Sequence, residues 1–348
     1  MTQEEAEKFE HIMKNRPHVV ILGAGASVAT IPNGDANGKK ISVMNDFFQK
    51  TNTEYLLEGI ELRTKSKNLE DIYSEIYERP ELKDVCYKLE KAIYDYFSDL
   101  QIPDEPTIYD FLILSLRKKD LIATFNWDPL LQQAYQRCGR ITRDLPKIVF
   151  LHGNVAIGLC MQDKVYGSID HYCPLCRQRL SPLQLLYPIK KKDYNSDKFI
   201  KDEWDIIEKA LSFAFIITVF GYGAPPSDVE AIKLLKNAWG DTEKRQFEQT
   251  EIIDIKPEDK LADTWSPFIH SHHYEVHDSF FDSTIASFPR RTCECLYDQN
   301  LDAHFIDNEK GFKENMSWED IEHYLEPILE DEYKNRDKNL TDFWLRDL

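Results

Sequence analysis

The sequence lacks long hydrophobic runs. None of its 348 residues belongs to a stretch of the roughly 18 consecutive apolar residues that a helix needs to cross a bilayer. The most apolar segment, residues 211–220, has the length of a core strand. Residues 1–17 are polar and acidic and do not resemble a signal peptide. We therefore expect a cytoplasmic protein that makes no membrane contact.

Basic residues and cysteines are also scarce. Lys and Arg number 43 against 61 Asp and Glu, so the net charge is −18. Because nucleic-acid binding requires a dense basic surface, no direct nucleic-acid partner is expected, although backbone N–H groups could still hold an anionic ligand locally. Seven cysteines, an odd number, argue against a disulfide framework and favour free thiols or a metal site.

Short apolar runs recur along the chain and are separated by segments with helical spacing. Most runs are continuous rather than alternating, which is typical of parallel strands covered by helices on both faces. The sequence therefore predicts an α/β fold with a Rossmann-like, doubly wound, mostly parallel sheet. The predicted strands lie at 18–22, 121–125, 147–151, 213–220, 251–255 and 274–276, and the clearest helices at 196–212 and 229–239.

Two regions depart from this alternation. Residues 44–116 contain several amphipathic segments and no convincing strand, so they are predicted to form a helical insertion. Residues 286–348 are acidic and aromatic, and are predicted to form a helical carboxy-terminal extension that packs on another surface. The expected organisation is therefore one main domain, residues 1–285, followed by this extension.

The stretch HVVILGAGAS, residues 18–27, places a glycine turn directly after a strand. Gly23 and Gly25 allow the backbone to approach a ligand closely, and a helix beginning near Ser27 would aim its N–H groups at a phosphate. The third glycine of the dinucleotide fingerprint is replaced by Val28, and no acidic strand end follows about twenty residues later. The turn thus indicates a nucleotide site that is not an ordinary dehydrogenase site, or else only a tight connection.

Polar residues follow two further predicted strands. ATFNWD places Asn126 and Asp128 after one strand, and IVFLHG places His152 after another. Ligands bind at the carboxyl ends of strands in open α/β sheets, so these residues and the glycine turn are expected to share one edge. Each residue also has a structural interpretation, because Asn and Asp commonly begin helices and a strand-end His is often only hydrogen-bonded.

A second glycine turn occurs in VFGYGAPPSD, residues 219–228. Gly221 and Gly223 follow a strand, and Ser227 begins the next helix, so this turn could seat the other half of a dinucleotide. The next strand, in EIIDIKP, ends near Asp254, which would reach a base or a ribose unless it is only a solvated residue.

Cysteine spacing indicates a zinc knuckle at about 160–176. Cys173 and Cys176 form one C-x-x-C pair, and tetrahedral zinc requires four N or S ligands. The candidate metal ligands are Cys160, His171, Cys173 and Cys176. Cys293 and Cys295 would contribute if the extension folds back, and a knuckle without metal is the alternative. The histidine-rich segment 270–278 is interpreted as a polar approach to a strand, because its spacing repeats no face.

The motifs GAGAS, FNWD and LHG, a cysteine knuckle and FGYG, in that order, resemble the sirtuin-like superfamily of NAD-consuming enzymes over about residues 18–280. The similarity is greater to bacterial sirtuin-like proteins of antiphage defence than to protein deacylases, because residues 181–194 do not match the deacylase segment that pairs with an acetyl-lysine peptide. The resemblance implies a Rossmann-like NAD-binding catalytic domain that hydrolyses NAD to nicotinamide and ADP-ribose.

The resemblance also implies roles for individual residues. Asn126 would hold the nicotinamide ribose or the attacking water, Asp128 would support that site, and His152 would act as the general base. A histidine with a pKa of about 6.5 can accept a proton at neutral pH. The expected NAD-binding residues are Gly23, Ala24, Gly25, Ala26, Ser27, Asn126, Gly221, Gly223, Ser227 and Asp254.

Two other functions and several partners follow from the same resemblance. The alternatives are a NAD-dependent protein deacylase and a non-catalytic sensor of NAD or ADP-ribose. An unregulated NADase would kill its host, so control by a homo-oligomer, by a partner ATPase of the HerA type or by a phage trigger is expected.

Overall fold

The computed structural model describes residues 2–189, 194, 197–225, 228–241, 243, 245, 247–269, 274–301 and 311–335. Its strands are β1 (His18–Leu22), β2 (Leu121–Thr124), β3 (Lys147–Phe150), β4 (Ile157–Leu159), β5 (Tyr166–Ser168), β6 (Ser181–Pro182), β7 (Ile216–Phe220), β8 (Gln249–Ile253) and β9 (Tyr274–His277). Six of these strands form one sheet in the order β3-β2-β1-β7-β8-β9, in which every neighbouring pair is parallel. The antiparallel strands β5-β4-β6 form a second, small sheet.

Continuous apolar sequence explains why the large sheet is buried on both faces. All five residues of β1 are buried. Because side chains alternate along a strand, Val19 and Ile21 pack into the core on one face while Val20 and Leu22 pack into the core on the other. The predicted α/β fold with a Rossmann-like, doubly wound parallel sheet is confirmed.

Helices cover both faces of the sheet. They are α1 (Gln3–Lys14), α2 (Ala24–Thr30), α3 (Phe47–Thr51), α4 (Leu69–Tyr77), α5 (Lys83–Ser98), α6 (Ile108–Ser115), α7 (Leu130–Cys138), α8 (Lys198–Phe213), α9 (Val229–Trp239), α10 (Glu258–Trp265), α11 (Thr284–Ser287), α12 (Thr292–Asn300) and α13 (Trp318–Asn335). Helices α2–α7, α11 and α13 share one core, and α8–α10 share the other. Among the described helices, none combines the length and the apolar character needed to cross a bilayer.

The bounds of two predicted strands differ from those in the structure by two or three residues, whereas the other strands agree to within one residue. Helix α8 continues to Phe213, so β7 begins at Ile216 rather than at 213. Strand β8 begins at Gln249 and ends at Ile253, and Ile255, predicted to lie within it, is 90% exposed. In both cases the apolar sequence extends past the end of the strand, at the start of β7 and at the end of β8.

The helical insertion and the helical extension are both present. Residues 44–116 contain α3 to α6 and no strand, and α6 leads into β2. In the extension, Phe312, Ile321 and Leu325 enter the core that also contains Val20 of β1. The Arg290 guanidinium donates hydrogen bonds to the Glu332 carboxylate of α13, and both side chains are buried. The domain division after residue 285 stays a prediction.

The strand order reverses at β1. The chain passes from β1 outward to β2 and β3, then returns to the other side of β1 as β7, β8 and β9. The register aligns Leu22 with both Thr124 and Phe220, so the strands end together along one side, here called the carboxyl edge. Ligands of such sheets bind at this point of reversal.

Candidate functional site

The two glycine turns contact each other at the carboxyl edge. The Gly23 N–H donates to the Phe220 carbonyl (3.0 Å), and the Gly25 N–H donates to the Gly221 carbonyl (2.9 Å). A Cβ on Gly25 would lie 2.8 Å from the Gly221 Cα, and a Cβ on Gly221, whose φ is +60°, would lie 2.3 Å from the Ala26 nitrogen. The glycines therefore have a packing role, because only residues without a Cβ allow this approach.

The helix after the first glycine turn begins earlier than predicted. Helix α2 starts at Ala24, with Gly23 as its N-cap, instead of starting near Ser27. Ser27 consequently lies inside the helix and is fully buried, and its hydroxyl donates to Asp128 Oδ2 (2.7 Å). The Ser27 hydroxyl is thus directed at the protein interior rather than at the edge, whereas Ala24 and Gly25 are exposed there.

Asn126 connects the end of β2 with the turn after β1. Its side-chain nitrogen donates to the Gly23 carbonyl (2.8 Å) and to Ser27 Oγ (2.9 Å), and lies 3.3 Å from the Tyr109 hydroxyl. Because the two protons of the amide nitrogen are shared among these three oxygens, the carbonyl oxygen of the partly exposed Asn126 side chain is the group available to a ligand. Three protein partners hold this amide in a fixed orientation.

The hydrogen bonds among Tyr109, Ser27 and Asp128 have a defined donor and acceptor at each step. Ser27 has one hydroxyl proton, and the ionised Asp128 carboxylate accepts it. Tyr109, whose hydroxyl lies 2.7 Å from Ser27 Oγ, must then donate to Ser27. Both Tyr109 and Asp128 are fully buried, and burial raises the pKa of Asp128 to about 6. The chain Tyr109 to Ser27 to Asp128 is therefore ordered when Asp128 is ionised.

Sequence reasoning missed two residues of this network. Tyr109 lies in the apolar helix α6, IYDFLILS, where a tyrosine is typical of a core position. Asn154 donates its side-chain N–H to the backbone carbonyls of Asp128 (2.7 Å) and Asn126 (3.2 Å) and so fixes the turn after β2. Its position two residues after His152, in the motif HGN, is the signal that could have identified it.

His152 lies at the end of the neighbouring strand. The register pairs Thr124 with Phe150, and Asn126 and His152 each follow two residues later. The His152 ring is buried, packs edge-on against Phe125 with 4.8 Å between ring centroids, and has Nε2 3.4 Å from the Tyr194 hydroxyl. The structure therefore brings Asn126 and His152, two of the three predicted catalytic residues, to adjacent strand ends.

Three further predicted NAD-binding residues, Gly221, Gly223 and Asp254, lie along the same edge. Gly221 and Gly223 follow β7, and Asp254 follows β8, which pairs with β7 through Phe220 and Ile253. The Asp254 carboxylate is partly exposed and accepts the Lys256 N–H (3.0 Å). Ser227 lies outside the described residues, as do the histidines at 270, 272 and 273.

The cysteine cluster has a different fourth member from the one predicted. His171 is exposed and outside the cluster, which corrects the predicted ligand set. Asp163 takes its place, because the turn between β4 and β5 brings Oδ2 to 3.2 Å from Cys173 Sγ and 3.5 Å from Cys160 Sγ. One potential ligand atom from each member lies within 4.8 Å of the others, and the members are Cys160, Asp163, Cys173 and Cys176.

The structure also shows where the two cysteines of the extension lie. Cys293 and Cys295 lie in α12, where Cys293 packs against Met13 of α1, so neither joins the cluster. The C-x-x-D spacing of Cys160 and Asp163 repeats the C-x-x-C spacing of Cys173 and Cys176, and this was the available sequence signal. Three thiols and one carboxylate form a donor set that suits zinc.

Comparison with known proteins gives the following results. No family model matches the chain, and no curated protein sequence matches it. Among solved structures, a Sir2 homologue in complex with NAD is 14% identical to this chain and superposes on it with a TM-score of 0.43. The alignment covers 83% of this chain and 94% of the homologue. The S24A mutant of a Sir2 homologue, in complex with ADP-ribose, is 12% identical to this chain, with a TM-score of 0.40. That alignment covers 93% of this chain and 98% of the homologue.

Proposed function

We propose that the protein is a NAD glycohydrolase that converts NAD and water to ADP-ribose and nicotinamide. The observation that carries this proposal is the fixed Asn126 amide beside the glycine turn. Its nitrogen is held by Gly23, Ser27 and Tyr109, which leaves its carbonyl oxygen to accept a hydrogen bond from a water or a ribose hydroxyl. Such positioning lowers the barrier for attack without requiring charge on the positioning group.

The proposed reaction uses one base and no acid. The oxygen of a water molecule attacks the anomeric carbon of the nicotinamide ribose while the bond from that carbon to the nicotinamide nitrogen breaks. The bonding electron pair leaves with nicotinamide, which is neutral, and His152 takes the proton of the attacking water. Asn126 orients the water or the ribose, and Asp128 acts through Ser27 to hold Asn126 in place.

The two glycine turns support the proposed binding mode of NAD. The pyrophosphate would lie over Ala24 and Gly25, which are exposed at the point where the strand order reverses. The adenosine half would extend toward Gly223, which is also exposed, and toward the Asp254 carboxylate. The nicotinamide ribose would then face Asn126.

The cysteine cluster is proposed to hold a structural zinc ion. Its four donor atoms converge from two segments of the chain, and their types fit tetrahedral zinc. Bound zinc would fix the small sheet β5-β4-β6, since Asp163 lies between β4 and β5 while Cys173 and Cys176 lie between β5 and β6. The hydrolysis of NAD does not involve this ion.

The biological setting is proposed from the resemblance of the motifs to antiphage proteins. In that setting the protein is a cytoplasmic effector that depletes NAD, and a homo-oligomer, a HerA-type ATPase or a phage trigger controls it. Light scattering of the protein purified with its operon neighbours tests for such assemblies. Separation of ADP-ribose from its cyclised form by chromatography identifies the product.

The decisive experiment follows nicotinamide release from NAD by purified full-length protein, with and without co-purifying partners. We expect release by the wild type, a loss of at least about a hundredfold in Asn126→Ala and His152→Ala, and no change in His171→Ala, which alters an exposed histidine. Release that requires an acylated peptide would instead indicate a deacylase. Calorimetric binding of NAD without consumption would indicate a sensor.

A further inference from the structure

Three potential metal ligands converge at the β8–β9 edge of the sheet. Glu251 lies on β8, and Glu275 and His277 lie on β9; the register pairs Glu251 with Glu275. Because side chains alternate along a strand, His277 projects from the same face as Glu275. His277 Nε2 lies 3.4 Å from Glu251 Oε1 and 3.3 Å from Glu275 Oε2.

The orientation of the His277 ring distinguishes this cluster from an ordinary hydrogen-bonded pair. His277 Nε2 is buried and lies within ion-pair distance of both carboxylates, yet among the described residues it meets hydrogen-bond geometry with neither oxygen. The nitrogen is therefore aligned with neither carboxylate oxygen. Two ligand atoms each about 2.1 Å from a tetrahedral zinc ion are roughly 3.4 Å apart, which matches the observed spacing.

Hydrogen bonds from two threonines hold the Glu251 carboxylate in place. Its side chain is fully buried, Oε1 accepts the Thr284 N–H (2.6 Å), and Oε2 accepts the Thr218 hydroxyl (2.8 Å). A buried carboxylate requires a cationic partner, and fixed outer contacts of this kind orient metal ligands. The Glu275 side chain is 51% exposed, so an ion has access from solvent.

We propose that Glu251, Glu275 and His277 form a binding site for a divalent cation of the zinc class, with water completing the coordination. The ligands are one imidazole and two carboxylates, so this site differs in chemistry from the thiol-rich cysteine cluster. A bound ion would join β9, the outermost strand, to β8 and, through the Thr284 N–H, to the start of α11. Its role is thus to secure the edge of the sheet.

The test is cobalt binding by full-length protein that has been stripped with a chelator. Co²⁺ bound by thiolates gives a charge-transfer band in the near ultraviolet, whereas Co²⁺ bound by Glu251, Glu275 and His277 gives only weak visible bands. In a Co²⁺ titration we expect Glu275→Gln and His277→Asn each to bind one of the wild-type equivalents at least about tenfold more weakly than wild type does. Any thiolate band should be unchanged.

His171→Asn serves as the matched control, since this exposed histidine belongs to neither cluster and should retain wild-type binding. Equal Co²⁺ binding by wild type and Glu275→Gln would overturn the proposal, and a protonated His277 between two carboxylates would then account for the geometry. Glu275 is half exposed on an edge strand, so its variant gives this answer even if His277→Asn fails to fold.

Discussion

Ser27 Oγ lies 2.7 Å from Asp128 Oδ2, although 101 residues separate them in the chain. This hydrogen bond joins the helix after β1 to the turn after β2, and both groups are fully buried. It makes the orientation of Asn126 dependent on a buried carboxylate, because Asn126 donates to the same Ser27 oxygen. The ionised Asp128 carboxylate thus fixes the geometry of the site, but its burial lowers the stability of the folded protein.

Asp128→Asn should therefore change the pH dependence of stability. Burial raises the pKa of Asp128 from 3.8 to about 6, so the folded state binds this proton more tightly than the unfolded state does. The contribution of Asp128 to the free energy of unfolding is full below pH 3.8 and falls as the pH rises through 6. The loss is on the order of 3 kcal/mol, since each pKa unit corresponds to about 1.4 kcal/mol.

Urea unfolding between pH 4 and pH 8 measures this effect. The difference between wild type and Asp128→Asn should move in favour of the variant with rising pH, while NAD hydrolysis by the variant falls. Asp84→Asn, at an exposed aspartate, should follow the wild type. A constant difference between wild type and Asp128→Asn across this range would contradict the predicted titration.

Tyr109→Phe tests the ordered chain of donors. The substitution keeps the buried ring and removes only the O–H that donates to Ser27, so a loss of about 1 kcal/mol of stability is expected. Ser27 would still donate to Asp128, but Ser27 and Asn126 would each lose the tyrosine hydroxyl as a partner, so the Asn126 amide would be held less firmly. We expect kcat for nicotinamide release to fall roughly ten- to hundredfold with little change in KM, because positioning rather than binding is affected.

The control for this variant is Tyr55→Phe, which removes the hydroxyl of a tyrosine that is 62% exposed. It should leave both kcat and stability unchanged. A Tyr109→Phe protein that loses stability but keeps its wild-type kcat would assign Tyr109 a purely structural role.

Gly221→Ala tests the contact between the two glycine turns. The new methyl group would lie 2.3 Å from the Ala26 nitrogen, and φ is +60°. Gly59→Ala is the matched control, because φ there is +77° but a Cβ would meet nothing within 4 Å. Both variants carry the backbone cost of about 1–2 kcal/mol, so any further loss in Gly221→Ala reports the clash.

Chemical denaturation of the two variants gives this difference directly. We expect Gly221→Ala to be less stable than Gly59→Ala by on the order of 1–3 kcal/mol and to bind NAD more weakly, because the turn after β1 must move. Equal stabilities would mean that the two turns separate at little cost.

The carboxyl edge was largely predictable from the sequence, whereas the residues beneath it were not. A continuous apolar run predicts a buried strand, and the Gly, Asn or His that follows the run marks where the strand ends. Gly23, Asn126 and His152 could therefore be placed together at one edge. Tyr109 reaches Ser27 only because α6 packs against α2, and no local pattern encodes that contact. Asp163 was missed for a different reason, since a search for thiols and imidazoles passes over a carboxylate at the correct spacing.

A substitution of Asp163 therefore tests most directly whether Asp163, rather than His171, is the fourth zinc ligand. Asp163→Ala removes one of the four converging donors, so the zinc content of the purified protein should fall and chelator should extract the remaining metal more readily. His171→Ala removes an exposed imidazole outside the cluster and should retain wild-type zinc. Zinc analysis of both variants by mass spectrometry decides between the two ligand sets. If His171→Ala loses zinc while Asp163→Ala retains it, the knuckle binds metal through the set expected from the sequence instead.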